Sequence, residues 1–482
     1  LTRDGKVLAI DEPGTFTYDT LVFTPATSNI NTAVPQQVDE LPELELNLYC
    51  SGHTQVGSKV LIVGGGVGAP GASWVFLYDP DAPTQSWGDR RLTSDDLPVA
   101  RWYPTCTALG NGKILIAGGR AVDCDWPNPD DAQNRLLTFD ITKDPGDRYA
   151  EPEAGTAPVH DFVWYPYNFL RPNGQVLYAG GNDHPGGCAQ YPQPKLAYSF
   201  NPNSGGWSTI APYPLYSCSA ATYKPDAFIK IGVARSGGDG SASECSGVEG
   251  RTAWKLDLTA SLLPEWVAMP CMNLARDNAQ LVVLPDGSVM AFGGATEGST
   301  EDRKRPELMN PDDSSSSWAL MAPATSNRGY HSAAVLLPDA RILHAGGNGH
   351  STAQIYKPPY LFLSNGGSAD AQRPVITAPT ANSLVKYDTG FDITLEDNDD
   401  YTEIEQVVLM RLGATTHGFD QEQRRVPLDF TLKSVNGPIQ AAAPAHSHLA
   451  PPGYYMLFVL KQGDRAGVQF PSVARMVRVD AS

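Results

Sequence analysis

The 482-residue sequence predicts an all-β chain: a seven-bladed propeller over residues 1–372, then an immunoglobulin-like β-sandwich over 373–482. Three observations predict it. A short motif recurs at intervals of 53 to 62 residues. Glycine and proline are abundant, at 46 and 40, and follow no strict period. Apolar runs are short and bounded by turn residues, as strands joined by tight turns require.

The repeat is a turn, four or five apolar residues, and a Gly-Gly pair. It reads GSKVLIVGG ending at Gly65, GNGKILIAGG at Gly119, PNGQVLYAGG at Gly181, PDGSVMAFGG at Gly294 and PDARILHAGG at Gly347. A degraded copy, AFIKIGVARSGG, ends at Gly238, and the opening RDGKVLAID fits the frame with Asp11 in the first glycine position. Units near fifty residues with this pattern read as kelch-type blades. One four-stranded blade cannot bury its own faces, and a closed ring of blades protects the sheet edges.

The repeat ends after AQIYKPPYLF, at Phe362, and a Gly/Ser-rich stretch follows. From about Arg373 the text changes to short strands and polar turns, which predicts the sandwich.

A net charge of −18 disfavours nucleic-acid phosphates and anionic lipid. No apolar run is long enough for a spanning helix. Seven cysteines, Cys50, Cys106, Cys124, Cys188, Cys218, Cys245 and Cys271, contain no C-x-x-C pair, which argues against a zinc ribbon or thioredoxin motif. There is no H-E-x-x-H and no G-x-S-x-G, and the G-x-G-x-x-G at residues 66–71 contains Pro70 and opens no helical pattern.

Four segments concentrate residues capable of chemistry. They are NLYCSGH with Cys50, ARWYPTCTALGNGK with Tyr103, NRGYHSAAVLLPDAR with Tyr330 and His331, and RLGATTHGFDQEQRRVPL with His417. Together they resemble the galactose oxidase and glyoxal oxidase family of copper radical oxidases. That family carries Cys-x-Gly, Arg-x-Tyr, Tyr-His, and Thr-His followed by Gln-Arg-Arg, in that order along the chain. The strand PGYYMLFVL, Pro452 to Leu460, is similar to the family's closing strand.

The resemblance implies one copper ion held by Tyr103, Tyr330, His331 and His417, with a thioether joining Cys50 to Tyr103 as a protein-derived radical cofactor. Imidazole and phenolate suit copper(II) with an open position. The implied reaction oxidises a primary alcohol or an aldehyde with O2 and releases hydrogen peroxide. Tyr330 is then the base for the alcohol proton. The cross-link also leaves six cysteines, enough for three disulfides, which suits a secreted protein. The expected partners are a small-molecule substrate and O2, with no nucleic acid and no membrane, and the chain is expected to be a monomer.

In galactose oxidase an aromatic ring covering the thioether follows the Gly-Gly of the Tyr103 blade. Here that segment reads GGRAVDCDW, with Arg120 and Ala121 at the place. Trp126, Trp164 or Tyr216 are the expected substitutes, and Asp277 and Asn278 the expected substrate contacts. His53, His160, His184, His344, His350, His446 and His448 are assigned to surface or packing. Two alternatives share the blades: an aldehyde oxidase of the glyoxal oxidase type, and a non-catalytic kelch propeller that binds a glycan or protein.

Overall fold

Among its described residues the chain before Pro358 folds into seven antiparallel sheets that follow one another in sequence. The computed structural model describes residues 1–10, 20–23, 48–66, 71–81, 96–120, 136–151, 165–181, 196–212, 218–232, 245, 250–261, 263–294, 303–350, 352–396, 400–434 and 437–480. The first sheet pairs Val7–Ile10 with Thr20–Phe23. The second starts at Gly52–Val56, the third at Trp102–Ala108, the fourth at Pro166–Leu170, the fifth at Ser219–Lys224, the sixth at Gln280–Val283 and the seventh at Ser332–Leu336. The third to sixth sheets have four strands each, in sequence order. The leading strands are short and almost wholly buried, so both of their faces pack against protein.

The recurring glycines have a steric reason. A Cβ on Gly293 would stand 2.6 Å from the carbonyl oxygen of Arg328, which precedes the next sheet, and Gly293 has φ +60°. Gly64 abuts the carbonyl of Arg101 in the same way. Only glycine tolerates that approach together with left-handed backbone. Each arginine then ties the junction to its own sheet: Arg101 donates to the Gly118 carbonyl, Arg276 to Gly293 and Arg328 to Gly346. All three arginines are buried. This device corrects the register of the degraded repeat. A Cβ on Gly232 would stand 2.9 Å from the Arg276 carbonyl, so Gly232 is the matching glycine and not the pair ending at Gly238. Asp11, Gly237 and Gly238 lie outside the described residues.

After two short 3-10 turns the chain forms two further sheets. One has the order Ile376–Ala378, Gly390–Leu395, Ile439–Ala442, Phe430–Leu432. The other has the order Ser383–Lys386, Arg475–Asp480, Gly453–Gln462, Ile404–Arg411, Arg425–Leu428. Ile376, Ile393, Leu409, Leu457 and Val477 belong to the core they share.

The strand Gly453–Gln462 explains how the two parts join. Its first eight residues are all buried. Tyr455, Leu457 and Val459 enter the sandwich core, whereas Met456, Phe458 and Leu460 enter a second core with Leu281, Val283 and Ile342. The period-two alternation of a strand thus supplies both cores at once.

A hairpin leaves this sheet after Arg411 and returns at Arg425, running among the leading strands of the earlier sheets. Gln421 Oε1 accepts from Cys106 N at 2.8 Å, and Gln423 bonds Val283 N and Leu281 O at 2.9 and 2.7 Å. Glu422 accepts from Thr54 and Arg411, and Arg424 donates to Leu170 O. Four consecutive polar residues thereby reach four different sheets.

Candidate metal centre

At the end of the leading strands opposite that entry, the hairpin tip meets residues from four sheets. The tip is a two-residue turn, His417–Gly418, with φ 47° and 85°, between the paired residues Thr416 and Phe419. Positive φ at both central positions is the pattern of a type I′ turn, normally filled by Asn-Gly. Histidine here carries the strain that asparagine would relieve.

Cys50, Tyr103 and His331 share that conformation, with φ 61°, 66° and 66°. Each sits where the chain enters the leading strand of its sheet. Backbone bonds stitch the entries together: Tyr103 N donates to Cys50 O at 3.1 Å, and Tyr165 N donates to Tyr103 O at 3.0 Å. In a flat strand, adjacent residues face opposite sides. The left-handed residue removes that alternation. Tyr330 and His331 therefore face together, with ring centroids 3.7 Å apart, in the turn just before Ser332.

All five residues singled out in the four segments come together. The hydroxyls of Tyr103 and Tyr330 are 2.7 Å apart. Cys50, His331 and His417 offer ligand atoms within 4.8 Å of one another. Cys50 Sγ is 3.6 Å from His417 Nε2, and Cys50 packs with Tyr103 in one buried cluster. The His417 ring lies 4.8 Å from that of Tyr103, 5.2 Å from Tyr330 and 4.7 Å from His331. Supporting contacts hold both imidazoles: His331 Nδ1 is 2.6 Å from Asn348 Oδ1, and His417 Nδ1 is 2.7 Å from Thr416 Oγ1. Such partners at the second nitrogen are typical of metal-ligating histidines.

Burial, followed by the neighbouring Cys50 and Tyr330, pushes the Tyr103 phenol far above its ordinary range. Protein groups alone therefore keep this phenol protonated. A metal cation would reverse the balance. The cluster of two imidazoles and two phenols fits copper(II), which favours nitrogen and oxygen donors.

The ring stacked on Tyr103 is Trp102, with centroids 4.1 Å apart and planes 25° apart. It precedes the tyrosine in the chain, whereas the expected ring follows the Gly-Gly. Trp126, Trp164 and Tyr216 lie outside the described residues. Tyr165 is a second ring missed in the sequence, fully buried and 4.9 Å from both Tyr103 and His417. Its signal was an aromatic at the strand entry of the fourth repeat. Asn278 is the left-handed residue of the sixth sheet, φ 53°, and donates to Asp277 Oδ1 at 3.2 Å.

Among the remaining histidines, His344 is buried and His53 half-buried, and desolvation pushes His53 down to about 4 and His344 to about 3. His446 and His448 lean on each other at 5.8 Å. His160 and His184 lie outside the described residues.

The cysteine pairing departs from expectation. Cys245 and Cys271 form a disulfide, but Cys106 and Cys218 are buried thiols without a disulfide partner. Three disulfides from six cysteines are thus excluded. Both thiols occupy leading strands or their approach, where apolar burial suits a small side chain. Cys124 and Cys188 lie outside the described residues.

Residues 30–361 match the family described as Glyoxal oxidase N-terminus, and residues 373–479 match Galactose oxidase-like, Early set domain. The chain belongs to the galactose oxidase and glyoxal oxidase family of copper radical oxidases. It is 28% identical to galactose oxidase of Gibberella zeae over 90% of its own length and 61% of the relative's. It is 27% identical to aldehyde oxidase GLOX1 of Arabidopsis thaliana over 80% of its length and 64% of the relative's. The chain thus spans less than two thirds of either relative. A fungal alcohol oxidase of the AA5 family, solved in complex with copper, shares the fold at a TM-score of 0.75 and 21% identity, covering 98% of this chain and 95% of the other.

Proposed function

We propose that this member of the family oxidises a primary alcohol or an aldehyde with O2, giving an aldehyde or acid and hydrogen peroxide. The observation that carries the reading is the 2.7 Å contact between the hydroxyls of Tyr103 and Tyr330, beside Cys50, His331 and His417. We read the seven serial sheets, residues 1–372, as blades of a closed kelch-type propeller, and 373–482 as the sandwich that donates His417.

Tyr103, Tyr330, His331 and His417 would hold the copper ion. Copper bound there would supply one of the two electron-accepting equivalents that oxidation of an alcohol requires. The second resides on Tyr103. A thioether to Cys50 would make its ring electron-rich and easier to oxidise, the oxidised Tyr103 oxygen would be the acceptor of the carbon-bound hydrogen, and O2 would restore both equivalents and leave as hydrogen peroxide. Tyr330 accepts the hydroxyl proton, as a base within reach of the same small volume. Trp102 covers one face of the Tyr103 ring and keeps water from it. The Cys245–Cys271 bond supports an oxidising, extracellular setting.

The deciding experiment is peptide mass spectrometry after copper loading in air. A linked Cys50–Tyr103 peptide lighter by two hydrogens is expected, and free Cys50 under those conditions sinks the proposal. A peroxide assay across primary alcohols, sugars and aldehydes then separates the alcohol reading from the aldehyde one.

A further inference from the structure

Where the hairpin enters the ring of sheets, a cavity of about 20 Å³ is lined by Thr107, Asn168, Thr222, Arg411, Gln421 and Arg424, among others. It lies about 13 Å along the strand from Tyr103, four residues upstream of Thr107. It is separate from the metal centre and has room for one particle the size of a water molecule or a small ion.

Its wall is rich in donors. Arg411 Nη2, Gln421 Nε2 and Thr107 Oγ1 are buried and have no protein partner among the described residues. The orientation of the Gln421 amide is set by Cys106 N–H, which donates to its oxygen at 2.8 Å and leaves the NH2 group for the cavity. The carboxylate of the lining is already engaged. One oxygen of Glu422 takes Thr54 and the other takes Arg411. Among the described residues, Arg424 donates to the carbonyls of Leu170 and Leu449. The lining therefore holds two buried guanidinium groups against one carboxylate.

A buried unpaired cation and three unmet donors are each costly. A water molecule answers only part of this, because it carries no charge. We propose that the cavity is a binding site for a small monovalent anion of the halide class. The anion closes the charge balance between Arg411 and Arg424 and accepts from Gln421 and Thr107. It thereby pins the base of the hairpin whose tip carries His417.

The test is diffraction from crystals of the full chain grown in sodium bromide. One anomalous peak is expected between Arg411 and Arg424, and density without anomalous signal would overturn the site. Thermal unfolding of the copper-loaded chain at fixed ionic strength is the companion measurement. Chloride or bromide in place of gluconate should raise Tm by about 2–5 °C. A Tm indifferent to the anion would overturn the proposal as well. Gln421→Glu puts a carboxylate at the same place and should abolish the halide response. If that variant does not fold, the two measurements on the unaltered chain still decide.

Discussion

Left-handed backbone at residues other than glycine occurs mainly in two settings here, and, apart from Asn278 ahead of the sixth sheet, the two differ in residue type. Asp226, Asn382 and Asp388 occupy turns that lead from one strand to another. Asp and Asn tolerate this region at low cost because their short side chains bond locally. Cys50, Tyr103, Tyr165, His331 and His417 occupy strand entries and the hairpin tip around one small volume. Those residue types gain nothing locally from φ near 60°, and each carries about 1–2 kcal/mol of strain. Ala340 is the exception among the turns, a costly type with no chemistry, held in the tight reversal after Pro338. The difference teaches where the fold stores strain: at turns it is nearly free, and at the candidate centre it is imposed by surrounding structure to aim side chains inward.

The contrast can be broken most strongly at the centre itself. Tyr330→Phe leaves Tyr103 and both imidazoles to hold copper, so it should keep the metal, measured by metal analysis, and lose turnover by about 10²- to 10⁴-fold, the usual worth of a positioned base. Unchanged turnover would remove Tyr330 from that role. His417→Ala should weaken copper binding more than about 100-fold in a competition titration, because it deletes a ligand rather than a support. Asn348→Ala releases only the supporting contact at His331 and should cost about 10- to 100-fold in the same titration. Trp102→Ala should leave copper affinity intact and speed decay of the oxidised tyrosine signal in spin resonance by roughly tenfold at most, matching the worth of one stacked pair. Smallest is Asn382→Ala on the turn side. It should lower stability by about 1 kcal/mol in a denaturant titration and leave turnover unchanged. A loss of activity there would erase the distinction between the two settings.

Much of the candidate site was legible before any coordinates, for a specific reason. Cys50, Tyr103, Tyr330, His331 and His417 stand in four short segments whose order and residue types are unusual together. Trp102 was in plain view inside one of them but was not read as the stacking ring. Its placement depends on φ 66° at Tyr103, which folds neighbouring rings onto each other and has no signature in residue order. The QEQRR run was legible as a family mark. Its physical work was not: Gln421, Gln423 and Arg424 answer backbone groups on three different sheets, and partners more than 300 residues away, such as Cys106 for Gln421, leave no local pattern. The same applies to the cysteines. Counting seven suggested one cross-link and three pairs, but whether two thiols meet depends on which strands pack, and Cys106 and Cys218 pack apart inside the sheets.

The repeat, the change of texture near Arg373 and the chemical types of the five central residues belong to the sequence alone, because periodicity and side-chain chemistry are local properties. The convergence of those residues, the Gly232 register and the cavity between Arg411 and Arg424 were decided by tertiary structure. Each depends on how the hairpin from one domain threads the sheets of the other, and that packing is set by contacts distant in the chain.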